Sequence, residues 1–263
     1  MGFEGFLGTD AERLTNEQRN TFADLFEYAF ACSATAMKVA TLALPVGNKG
    51  ISVGVMFSRC VAQFQGAIVL AERGLPIESL VLTRALYETD FVLGALAANL
   101  VTPEELVDSD FFNRKKIGAI LLPIAKEQSP AEHREKLAAF IAENKAAKRL
   151  SIDELARRAG MQMLYDGLYR HLSHFAAHPS ITAAEGYFVP MPSGEDRVIF
   201  RPLTDSTPKA ILSACIGVIS ACGAFEKAAG SNSEVNTELK TLLDREEILY
   251  EKYRPWDIED EGA

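Results

Sequence analysis

Paired cysteines are what this chain most plainly lacks. Its four, Cys32, Cys60, Cys215 and Cys222, all sit in apolar helical patterns, with no CxxC pair and no zinc-type spacing. They read as small buried thiols of a reducing compartment. A GxxxxGK[ST] phosphate loop and a GxSxG nucleophile elbow are also missing, which excludes those enzyme classes. Residues 1–9 show no basic stretch followed by an apolar one, so no signal peptide is expected. The longest uncharged apolar run, 210–225, falls short of the roughly 20 residues a bilayer span needs. The expectation is a cytoplasmic protein with no membrane partner. Basic residues are in short supply, 27 against 36 acidic, for a net charge of −9. That balance disfavours nonspecific nucleic-acid binding, which uses a basic surface.

What is present suits one large domain: 263 residues, 48% of them hydrophobic and 24% charged. Helix-start signals recur. Thr15-Asn16-Glu17-Gln18, Ser151-Ile152-Asp153-Glu154 and Ser231-Asn232-Ser233-Glu234 fit capping boxes. Thr102-Pro103-Glu104-Glu105 and Ser129-Pro130-Ala131-Glu132 add proline at the first helical position. Periodicity places helices at 15–45, 51–73, 76–100, 103–127, 130–148, 152–158, 160–178, 207–229 and 232–252. The segment 186–202 breaks this grammar and reads as a β-hairpin or extended excursion, confined to an edge by its prolines. The expected fold is an all-α multi-helix bundle in a single domain, 1–263. Its core is 15–252, and an acidic tail covers 253–263.

Two polar constellations interrupt the apolar pattern. The helix after Pro76 is apolar almost all round, the mark of a buried central helix, yet carries Arg84, Glu88 and Asp90. Arg84 and Glu88 stand one turn apart and can pair. Buried charges need compensation, and the residues to supply it are expected on the second constellation, 169–180. There His171, His174 and His178 fall at i, i+3 and i+7 on one helix face, with Tyr169 and Ser173 on the neighbouring stripe and Pro179 ending the run. Glu88 could orient a histidine, and Arg59 and Gln63 could join the same polar interior.

Arg84-Ala85-Leu86-Tyr87-Glu88, together with Tyr169, Ser173 and His178-Pro179-Ser180, resembles a mostly bacterial all-helical family, domain of unknown function 5677, over roughly residues 50–230. The resemblance implies the fold and gives Arg84, Glu88, Tyr169, Ser173 and His178 as matching positions. It brings no settled activity. A looser likeness is to the helical HEPN ribonucleases, whose motif sets four to six residues between an Arg and a His. Here three residues separate Arg170 from His174, and seven separate it from His178.

Three functions compete. In an enzyme directed at a nucleotide or RNA, His178 or His174 would move the proton and Glu88 and Arg84 would support it, with Tyr169, Ser173, Arg170 and His171 contacting ligand. A metal site on the three histidines is disfavoured, because i, i+3, i+7 positions span about 10 Å along a helix; no metal or cofactor is expected. A non-enzymatic binding or scaffold protein would use the same residues as a buried network. The expected partner is a small-molecule or nucleotide-like ligand. The pattern also allows a homo-oligomer.

Overall fold

A computed structural model describes residues 4–143, 149–177, 187–190, 196–198 and 200–256. The chain runs α1 (Asp10–Thr21), α2 (Ala23–Val39), α3 (Asn48–Glu72), α4 (Pro76–Ala97), α5 (Pro103–Gln128), α6 (Ala131–Ala142) and α7 (Ile152–Ala159). A helix over 162–177, here α8, comes next. Then come β1 (Phe188–Pro190), β2 (Asp196–Val198), α9 (Thr207–Ala229) and α10 (Ser233–Tyr253). The all-α bundle is therefore as expected. The excursion is a short antiparallel pair, with Phe188 opposite Val198 and Pro190 opposite Asp196.

Two expected boundaries fail for local reasons. The helix expected at 15–45 is two helices, broken at Phe22, whose φ of −116° and ψ of 41° leave the helical region. Its ring is held edge-on against Tyr253, 6.0 Å away. Thr15 accordingly caps nothing: it lies inside α1, and its hydroxyl donates to the Ala11 carbonyl.

The core is built by α2, α3, α4 and α9, with α10 closing one side and α7 another. α4 is central, as its pattern requires. Leu80, Leu86, Tyr87, Phe91, Leu93 and Leu96 are fully buried. The Tyr87 hydroxyl donates to the Ser213 carbonyl at 2.8 Å, so even its polar tip is satisfied inside. α9 approaches α4 closely at Gly217, where a Cβ would sit 2.8 Å from Leu86 Cδ2. The helices α5 and α6 pair mainly with each other, through Phe111 against Phe140. By length and composition α3 and the run 204–229 could each cross a membrane. The second is mostly buried in the protein, as a core helix would be.

Candidate functional site

One edge of α4 is left partly open, and α8 lies along it. The Arg84 and Glu88 side chains there are 25% and 31% exposed and form an ion pair at 2.9 Å. The Arg84 Nε donates to Ser173 Oγ at 2.8 Å, and an Nη donates to the Tyr169 hydroxyl at 3.1 Å. That hydroxyl donates to Glu88 Oε1 at 2.8 Å. Ser173 Oγ donates back to the Tyr169 carbonyl at 2.9 Å. The guanidinium also lies over the Tyr169 ring, 5.2 Å from its centroid. Four of the residues named by sequence thus form one continuous network. Burial and the Glu88 carboxylate both raise the Tyr169 pKa, so the phenol keeps its proton and acts as a donor.

The helix that presents Tyr169 and Ser173 is not a regular α-helix. Residues Tyr165–Tyr169 and Ser173–Ala177 are π-turns, separated by one α-turn, Arg170–Leu172. A π-turn inserts an extra residue and re-aims the side chains beyond it, so a 3.6-residue wheel misplaces positions along 165–177. Phe91 supports the segment from beneath, 6.0 Å from the Tyr165 ring and 5.8 Å from Tyr169.

The remaining named residues divide. Arg170 is exposed and reaches Asp166 at 3.5 Å, outside the network. His174 is exposed. His178 lies outside the described residues. His171 belongs to a second group that the sequence did not suggest: its ring stacks on Phe175 at 5.8 Å and meets Trp256 edge-on at 4.6 Å. Lys209 completes that group, its Nζ 4.4 Å from the Phe175 ring and 4.1 Å from Trp256. Burial, with Lys209 and His174 nearby, lowers the His171 pKa, and burial lowers that of Lys209. The one signal for this group was a lone lysine opening the apolar run of α9.

Glu88 serves a phenol where the sequence suggested an imidazole. Asp90 faces the interior, fully buried, and among the described residues neither of its oxygens receives a well-formed hydrogen bond. Gln63 is buried as well, whereas Arg59 is exposed, so only the former joins the interior. Among the described residues no three metal-ligating side chains gather.

The model of a family of unknown function, DUF5677, matches residues 51–196, which is more than half of the chain. The chain belongs to this family. The match begins in α3 and runs through α4 and α8, so in this DUF5677 member it includes the whole Arg84–Glu88–Tyr169–Ser173 network. No curated protein and no solved structure matches the chain.

Proposed function

We propose that the Arg84–Glu88–Tyr169–Ser173 network is the floor of a site for a small phosphate-bearing or nucleotide-like ligand. The observation that carries this reading is the pair of π-turns set at Tyr169 and Ser173, the two residues that hold Arg84. Such turns are rare and recur at functional sites, because they aim side chains at the cost of regular hydrogen bonding. The guanidinium is fixed by three partners and backed by a ring, so its planar fork is already oriented when an anion arrives. Partial exposure leaves it within reach. His171, His174 and Lys209 add nearby positive or protonatable groups. In an enzyme acting on such a ligand, His174 or His178 would carry the proton.

A structural lock is the second reading, and one observation favours it: the four network residues already satisfy one another. Thermal melts of the full chain with inorganic phosphate, AMP or ATP decide between them, run on the wild type and on Arg84→Gln. Ligand at a hundred times its Kd stabilises by about 2.7 kcal/mol, a rise of several degrees. The site reading expects that rise in the wild type and its loss in Arg84→Gln. A lower melting point in Arg84→Gln, with no phosphate compound shifting the wild type, leaves a structural lock.

A further inference from the structure

α3 has a face that none of the described residues buries. Ile51, Val55, Ser58, Ala62, Gln65 and Val69 are all exposed, the three large ones at 65%, 58% and 53%. Their spacing is 4-3-4-3-4, the a/d rhythm of a two-helix seam. The opposite face, with Phe57, Cys60 and Phe64, is fully built into the core, so α3 cannot leave the bundle to enter a bilayer. Arg59 is the one charge between residues 50 and 71.

The spacing reads the same in both directions. Turned end for end about residue 60, Ile51 falls on Val69, Val55 on Gln65, and Ser58 on Ala62. A surface that matches itself under a two-fold rotation is what an isologous dimer requires. The large apolar residues at the ends meet each other, and the small ones at the centre let the backbones approach.

We propose that this face is covered by α3 of a second copy, packed antiparallel about a two-fold axis that crosses the seam between Ser58 and Ala62. The area is sufficient. A 25-residue helix is about 37 Å long and roughly 10 Å wide, giving some 370 Å². α2 meets α3 at the Gln65–Ser33 hydrogen bond, and exposed Phe30 and Met37 fall on the same stripe of α2 as Ser33. Counted the same way, the 17 residues of α2 bring the total to roughly 600 Å² per copy, the lower end of the ~600–1,000 Å² per partner of standard stable interfaces. Arg59 lies at the rim, where the two-fold axis brings its own copy near, so salt strengthens the association by screening that repulsion.

Sedimentation velocity of the full chain tests this. The wild type is expected to be dimeric at micromolar concentration, and more so at 0.5 M than at 0.05 M salt. Ala62→Glu places a like charge on each side of the seam and is expected to weaken the dimer at least a hundredfold, with helix content unchanged by circular dichroism. Orientation is read by cross-linking under copper-phenanthroline oxidation. A mixture of Ser58→Cys and Ala62→Cys chains should form a disulfide. Ile51→Cys alone should not, since its two copies would lie about 27 Å apart. A wild type that stays monomeric at 100 µM overturns the proposal, whether or not it binds vesicles. So does an Ala62→Glu dimer as tight as the wild type, or an Ile51→Cys chain that links to itself.

Discussion

Asp90 lies fully buried in the middle of α4, and among the described residues neither carboxylate oxygen receives a well-formed hydrogen bond. Burial pushes its pKa up to about 7, with only the Ser220 hydroxyl acting the other way. The thiols of Cys60 on α3 and Cys222 on α9 face the same region, and their pKa values are pushed up by burial and by this carboxylate. Glu246 repeats the situation near Tyr28, whose hydroxyl donates to it at 3.2 Å, and burial lifts it to about 7 as well. A carboxyl group raised in the folded state favours folding in its protonated form. Its contribution is therefore largest below the unfolded pKa, about 3.9 for Asp, and declines as pH rises toward 7. For Asp90 the full span corresponds to roughly 4 kcal/mol. Urea unfolding at pH 5 and pH 8 should show the wild type weaker at pH 8. Asp90→Asn, which cannot ionise, should narrow that difference by more than about 1 kcal/mol, leaving the part due to Glu246. An unchanged difference would mean that Asp90 is solvated or paired. The sequence showed Asp90 as a charge on an apolar helix, but it could not show which side of α4 the charge faces. Arg84 and Glu88, a few residues away, turn to the open edge instead.

Helix ends show how much of each element is legible in the sequence, and where reading by pattern stops. At Thr102 the full capping box forms, with the Thr102 hydroxyl accepting from the Glu105 N–H and the Glu105 carboxylate accepting from the Thr102 N–H. Ser151 caps α7 with half of such a box, its hydroxyl accepting from the Glu154 N–H. At 231–234 the motif is displaced by one residue: Asn232, not Ser231, accepts from the Glu234 and Val235 N–H groups. Ser129 ends α5, and Pro130 takes the cap of α6 without a side-chain bond. A capping motif works only where the chain enters from an extended conformation, and tertiary packing decides that. Thr15 satisfies the same pattern from inside a helix. Asn232→Ala should therefore cost about 1 kcal/mol, whereas Thr15→Ala should change stability by no more than about 0.5 kcal/mol. Denaturant midpoints of the two variants, compared with the wild type, check this; an equal loss in both would contradict the assignment. The π-turns of α8 lay beyond any such reading, because no residue type marks them. The residues of the network were legible as chemistry, but their meeting depended on how α8 is wound.

At the scale of the whole molecule, stability is unevenly distributed. Fully buried side chains are concentrated on α2, α3, α4 and α9, the elements with the most extensive mutual packing. The α5–α6 hairpin differs. α6 has no buried residue, and along α5 Val107, Ile117, Ile120 and Ile124 remain mostly exposed. Leu106, near the start of α5, packs on the core, and beyond it the apolar contacts are largely internal, such as Leu137 and Ile141 of α6 against Gly118 of α5. An isolated helix of 12 residues is marginal in water, and a pair of helices held by few buried groups gains little from the rest of the fold. Opening this hairpin leaves the core of α3, α4 and α9 intact, so it should cost less than global unfolding. Hydrogen exchange of the full chain is expected to show two classes. Amides of 111–142 should exchange at least a hundredfold faster than those of α4 and α9, whose protection should approach the global limit and change with Asp90→Asn. The hairpin should not respond to that substitution, since Asp90 acts on the core alone. If 111–142 instead exchanges at the rate of α4, the hairpin is part of the same cooperative unit, and its exposed isoleucines must be packed in solution against something beyond the described residues.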